Sequence, residues 1–118
     1  MARVLEFQYY NKDKLCSKIR VDYNTKEVFV KNYVDNPLQQ AFGRRPHTLD
    51  TVDEFFKERC FDVNRPDKYE LLESIGLKIY EPEAICRKTN GLTWDDTFWI
   101  CFMDDPVSYE EIAKRKGW

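Results

Sequence analysis

Residues 98–103 read Phe98-Trp99-Ile100-Cys101-Phe102-Met103, apolar at every position. Successive side chains of a strand point to opposite faces, so a strand here is apolar on both. It must then lie centrally in a sheet or be well covered, because a patch this apolar is rarely left in water. A turn glycine and two adjacent acids lead into the run, in Gly91-Leu92-Thr93-Trp94-Asp95-Asp96-Thr97, and Asp104-Asp105-Pro106 breaks it. No catalytic or metal signature comes with it.

The first 33 residues offer partners for such a strand. Leu5, Phe7 and Tyr9 alternate with Glu6 and Gln8, the pattern of a half-buried strand over 4–10. Asn11-Lys12-Asp13-Lys14 reads as a turn. Residues 15–23 alternate again, with Leu15, Ile19, Val21 and Tyr23 facing one way and Cys16, Lys18, Arg20 and Asp22 the other. Asn24-Thr25 is a second short turn, and Lys26 to Tyr33 is rich in β-formers. Three short strands with short links predict an antiparallel meander.

From Val34 to His47 the chain reads as a loop, punctuated by Asp35-Asn36-Pro37 and closed by Gly43-Arg44-Arg45-Pro46, with room for a helical turn at Leu38–Phe42. The period then becomes helical. Thr48-Leu49-Asp50 or Thr51-Val52-Asp53-Glu54 supplies a cap, the latter with capping-box spacing. Leu49, Val52, Phe55, Phe56 and Cys60 make one apolar stripe. A second helix starts at Asn64-Arg65-Pro66 and stops at Gly76; a third starts at Glu81-Pro82 and ends at Asn90-Gly91. Ser108-Tyr109-Glu110-Glu111 matches a capping box opening a final helix to about Lys116. The expected fold is a single α+β domain: an N-terminal antiparallel meander, two to three middle helices, one further strand and a short C-terminal helix.

A chain of 118 residues fits one domain and can bury a core without disulfides or metal. No apolar run approaches membrane-spanning length. The start, Met1-Ala2-Arg3-Val4-Leu5-Glu6-Phe7, does not read as a signal peptide, and a cytoplasmic address is expected. Cys16, Cys60, Cys86 and Cys101 form no closely spaced pair and the single histidine is His47, so no structural zinc site is indicated. The cysteines are expected to be reduced and partly buried. Residues 1–47 hold 9 Lys/Arg against 5 Asp/Glu (+4), and residues 48–118 hold 10 against 16 (−6), reproducing the net −2. That acidic balance speaks against a general nucleic-acid binder and leaves room for contact with a basic partner surface.

Nucleophilic catalysis needs a nucleophile beside a base, and only His47, in a polar loop, could be a histidine base. Asp95/Asp96 and Asp104/Asp105 are neighbours in sequence and so point apart, which is no catalytic dyad. Four glycines without a Gly-rich motif indicate no phosphate cradle. Thr93-Trp94-Asp95-Asp96 reads as a capped turn in which an acid accepts backbone N–H bonds, or as a partner contact. Trp99 belongs to the core, whereas Trp94 is the candidate hot-spot residue.

The order Asp35-Asn36-Pro37-Leu38-Gln39-Gln40-Ala41-Phe42-Gly43, Thr51-Val52-Asp53-Glu54-Phe55, Arg59-Cys60-Phe61, Asn64-Arg65, Leu71-Leu72, Gly76-Leu77, Tyr80-Glu81-Pro82, Ile85, Lys88-Thr89-Asn90-Gly91 and Asp96-Thr97-Phe98-Trp99-Ile100 resembles a group of small uncharacterised mobile-element proteins. These are carried on integrative and conjugative elements, plasmids and prophages of Firmicutes. The same tract is similar to the leader region before some HipA-like kinase domains, whose catalytic and ATP-binding motifs are absent here. The resemblance covers roughly residues 35–102 and brings no active site with it. What it implies is a context in which small acidic proteins block host defences, some of them anti-CRISPR inhibitors.

The function expected is thus a non-enzymatic protein-interaction module. It would inhibit a host defence nuclease or ribonucleoprotein through an acidic surface of Trp94, Asp95, Asp96, Asp104 and Asp105. One alternative is a nucleic-acid-binding accessory protein using Lys18, Arg20, Lys31, Arg44 and Arg45 of the basic first half. Another is a regulatory partner of a separate HipA-like kinase or toxin. No cofactor, metal or membrane is expected.

Overall fold

The first 33 residues form the three expected antiparallel strands: β1 (Val4–Asn11), β2 (Lys14–Asp22) and β3 (Glu27–Asn32). The computed structural model describes residues 3–93 and 96–114, so what was expected of Trp94 and Asp95 lies outside the described residues; the final helix, expected to about Lys116, already ends at Ile112. Phe7 lies opposite Ile19, and Ile19 opposite Val30, which aligns the apolar positions of all three strands on one inner face. Lys12 and Lys26, with φ of 55° and 61°, make the two turns. The Asp22 carboxylate accepts from the N–H groups of Asn24 (2.9 Å) and Thr25 (3.3 Å), which fixes the second.

One expected orientation changes. Tyr9 pairs with Ser17 but Tyr10 pairs with Leu15, so Cys16 is an extra residue in a β-bulge. The bulge breaks the period of two. Cys16 is therefore fully buried instead of facing outward with Lys18 and Arg20, and Leu15 is only half-buried.

β4 (Phe98–Phe102) pairs antiparallel with β1, giving the order β3-β2-β1-β4. The apolar run is covered on both faces, as its pattern requires, but it stands at a sheet edge. It tolerates that position because its outer edge is already satisfied. Ile100 N–H donates to Asn90 O (2.7 Å), the Asn90 amide donates to Ile100 O (3.2 Å), and Phe98 O accepts from Arg59. Asn90 ends a helix with φ 55°, and Gly91 follows with φ 63°. A Cβ on Gly91 would lie 2.7 Å from Ile100 Cδ1, so this position needs glycine both for its backbone and for its space.

The inner face is roofed by α1 (Leu49–Glu58). Thr48, not Thr51, is its cap: the Thr48 hydroxyl accepts from Thr51 N–H, and Thr51 is buried inside the first turn. Phe55 and Phe56 pack on Phe7 at ring separations of 5.8 and 5.1 Å, and Phe56 stacks on Phe102. Phe42, from the loop that opens with a 3₁₀ turn at Pro37–Gln39, joins the same cluster. α2 (Lys68–Ser74) and α3 (Pro82–Thr89) close a second cluster around Phe61, Leu72 and Ile85. α2 starts later than its proline suggested, at Lys68, with Asp67 before it making no side-chain cap. Cys60 and Cys86, sulfurs 3.8 Å apart, join the end of α1 to α3.

The outer face is divided. α4 (Tyr109–Ile112), opened by a reciprocal Ser108–Glu111 capping box, lays Ile112 over Trp99 and Cys101. Trp99 stacks on Tyr10 at 4.7 Å and donates from Nε1 to Lys12 O at 2.7 Å. This covers the β4 side. Among the described residues nothing gives the outward side chains of β2 and β3 such cover.

Candidate functional site

The acid pair at the entrance of β4 leads to a residue that sequence pattern did not single out, Arg59. It follows α1 directly and is buried. Its guanidinium donates to Asp96 through both terminal nitrogens (2.9 and 2.9 Å), to Gly91 O through Nε (2.9 Å) and to Phe98 O (2.8 Å). The planar fork of arginine suits this bidentate carboxylate contact, and its other donors satisfy two carbonyls of the turn. Burial opposes the charge on Arg59, but the Asp96 hydrogen bonds and the surrounding negative charge outweigh it and raise its pKa. Burial would likewise raise Asp96; the Arg59 contact and the Phe98 N–H (3.0 Å) bring it below the ordinary carboxylate value. Asp96 thus caps the turn and locks it to α1. A lone arginine at a helix end left no periodic signal; only its membership in the motif Arg59-Cys60-Phe61 marked it.

Asp104 is also engaged. Arg87 donates to both its oxygens (2.9 and 3.1 Å), which lowers its pKa, and lies over the Phe102 ring at 4.6 Å. Arg87 in turn meets Glu83, which Arg3 also contacts, so the acid joins a surface network. Asp105 is exposed in the turn after β4. Asp96 and Asp104 therefore sit at two separate arginines, one at each end of β4.

The basic candidates divide into two groups. Lys18 and Arg20 of β2 and Lys31 of β3 share the outer sheet face: Lys18 is the cross-strand partner of Lys31, and Arg20 that of Phe29. Phe29 and Tyr33 stand 48% and 42% exposed beside them, large rings in water rather than in the core. Arg20 lies 5.9 Å from the Phe29 ring; Lys31 and Lys18 lie 5.2 and 6.0 Å from the Tyr33 ring. An open depression of about 310 Å³ lies among Glu6, Gln8, Lys18, Arg20, Phe29 and Lys31. Glu6 is the carboxylate that meets this group, 3.4 Å from Arg20. Asp22 and Glu27 pair at the far end of the strands, where Asp22 is occupied by its turn.

Arg44 and Arg45 lie elsewhere. Arg45 donates to Phe42 O and Ala41 O (3.1 Å each) and to Glu58 of α1 (2.7 Å), which pins the loop on the helical side. Arg44 is exposed beside Leu38. His47 is exposed, its ring 6.1 Å from that of Phe42. Among the described residues no group of three or more His, Cys, Asp or Glu is placed to hold a metal ion, and no helix is long and apolar enough to cross a membrane.

Fold and surface together define an α+β domain whose sheet is roofed by helices on one face and half open, basic and aromatic on the other. No protein-family model matches the chain, and no curated protein and no solved structure matches it.

Proposed function

We propose that this chain is a non-enzymatic nucleic-acid-binding accessory protein that acts through the open outer face of β2 and β3. The observation behind this reading is the convergence of Lys18, Arg20 and Lys31 with Phe29 and Tyr33 on one uncovered sheet surface. Three cations against Glu6 make a locally basic footprint in a chain that is acidic as a whole. The acidic-surface reading has less behind it, because Asp96 is paired with buried Arg59 and Asp104 with Arg87 of a surface network. Arg44 and Arg45 drop out of the face, since Arg45 holds its own loop.

The test is retention of labelled oligonucleotides, read by fluorescence anisotropy from 25 to 300 mM salt. Binding that weakens with salt, and that the double substitution K18E/K31E abolishes, is the expected result. No retention at 25 mM salt refutes the proposal.

A protein partner is the second reading. It is favoured by Tyr69 and Ile79, 71% and 70% exposed around α2, and by the exposed Asp105. Within the mobile-element context implied by the resemblance, that partner would be a host defence nuclease, or alternatively a HipA-like kinase or toxin. Size-exclusion chromatography with each purified partner decides between them; co-elution lost in Y69S/I79S supports this reading, and independent elution removes it.

A further inference from the structure

We infer that the nucleic acid taken by the outer face is single-stranded, with unpaired bases stacked on Phe29 and Tyr33 and its phosphates held by Lys18, Arg20 and Lys31. This deepens the nucleic-acid reading and rests on it.

The rings come first. Phe29, Lys31 and Tyr33 occupy alternate positions within and just past the end of edge strand β3, so all three address one side of the sheet. At roughly 3.3 Å of rise per residue the two rings are about 13 Å apart, with a lysine between them. Neither ring sits in the buried core clusters. Their neighbours are cations, and a cation over an exposed ring is held more weakly than a stacked base. A base can therefore take the ring, and the displaced ammonium or guanidinium is then already beside the phosphate that follows.

The shape excludes a duplex as the preferred ligand. Paired bases hide their π-faces in the helical stack, and reading a groove needs an element that projects into it. This face is a sheet surface with an open depression, which suits a strand laid across it. Charge fixes which part of the face is used. The Lys18–Lys31–Tyr33 end is basic and is followed by the hairpin tip with Lys12, Asp13 and Lys14, net +1, whereas the opposite end carries Asp22, Lys26 and Glu27, net −1. The strand keeps to the first end. Gln8 lies at its border with its carbonyl oxygen bonded by the Tyr10 hydroxyl (2.8 Å), which orients its amide NH₂ as a donor for a base edge.

The experiment uses three labelled ligands with twelve nucleotides per strand, an oligothymidylate, an abasic strand and a duplex, with polyglutamate as a non-nucleic anion. Oligothymidylate should bind at least tenfold more tightly than the other three. Its log K should fall against log salt with a slope of about −2, as three phosphate contacts on a single strand require. F29A and Y33A should each weaken it roughly 5- to 30-fold with the slope unchanged, and Y33F should retain it. Both rings are exposed, so unchanged melting of these variants confirms that only the surface was altered. Equal binding of the abasic strand, the duplex or polyglutamate overturns the stacking inference. In the first two cases nucleic-acid binding survives it; absence of all nucleic-acid binding removes both.

Discussion

Asp96→Asn should destabilise the fold without touching the proposed binding face. The substitution keeps size and the oxygen that accepts from Phe98 N–H, and removes the charge opposite buried Arg59. Breaking a buried ion pair by deleting one partner costs about 3–5 kcal/mol, because the other charge is left uncompensated. Here the Asp96 side chain is 36% exposed and Arg59 keeps Gly91 O and Phe98 O, so about 2–3 kcal/mol is the expected loss. With an unfolding entropy of about 2.1 cal/mol/K per residue, that corresponds to a fall in Tm of about 8–12 °C for a chain of this length. Arg59→Met and the double variant complete a cycle whose coupling should be about 1–3 kcal/mol. Differential scanning fluorimetry measures all three, and oligonucleotide anisotropy should be unchanged at temperatures where D96N remains folded. A D96N protein melting within 2 °C of the parent would refute the clamp and return Asp96 to the set of free surface acids.

Gly91→Ala combines a left-handed backbone with a Cβ 2.7 Å from Ile100 Cδ1, and should cost about 2–4 kcal/mol by chemical denaturation; a cost under 1 kcal/mol would mean that the turn repacks freely. Asp96 and Asp104 have depressed folded pKa values, so the stability they contribute is present above the unfolded value of about 3.9 and lost as pH falls through the folded one. Tm should therefore hold from pH 7 to about 5 and drop below about 4, with a shallower drop in D96N; parallel profiles would exclude Asp96 as a contributor. Burial pushes Tyr9 and Tyr80 up to about 12, so their stabilising effect is present below the unfolded value of about 10 and lost as pH rises toward 12. Tyrosinate absorbance should show one group fewer ionising near pH 12 in Y80F than in the parent, and a single titration step near pH 10 in the parent would contradict this.

The elements with a clean period were legible in the sequence. Alternation located β1 and β2, richness in β-formers located β3, proline and the Asn90-Gly91 stop bounded α3, and Ser108-Glu111 placed the start of α4. What failed was what a period does not encode. The bulge at Cys16 inverts a residue because one strand holds an extra position, and nothing in the local alternation announces it. Thr51 matched a cap motif yet is buried, because Thr48 one turn earlier has the extended backbone that a cap needs. The edge position of β4 was hidden for a related reason: apolarity on both faces specifies cover, not neighbours, and the cover on its outer edge comes from Asn90 and Arg59. At the candidate face, Lys18 and Arg20 were visible as one strand side, but their meeting with Lys31, Phe29 and Tyr33 depends on the β2–β3 register.

Net charge misleads for this chain because its acids and bases are used differently. Among the site residues of the acidic half, Asp96 and Asp104 neutralise Arg59 and Arg87, and both pairs secure β4 to the helices. In the basic half, Arg45 is likewise consumed in holding its loop, while Lys18 and Lys31 face solvent without a carboxylate within ion-pair distance among the described residues. A total of −2 thus coexists with a basic patch where the sheet is open. The arginine–aspartate clamps and the open face are linked through β1. β4 locks to one edge of β1 and brings α4 over that side of the outer surface, so the area left for a ligand is the β2–β3 side. Loosening the Arg59 clamp should therefore release cover from Trp99 before it alters Phe29 or Tyr33, and in a W94F/W118F background, where Trp99 alone emits, D96N should shift the emission to the red while oligonucleotide affinity holds.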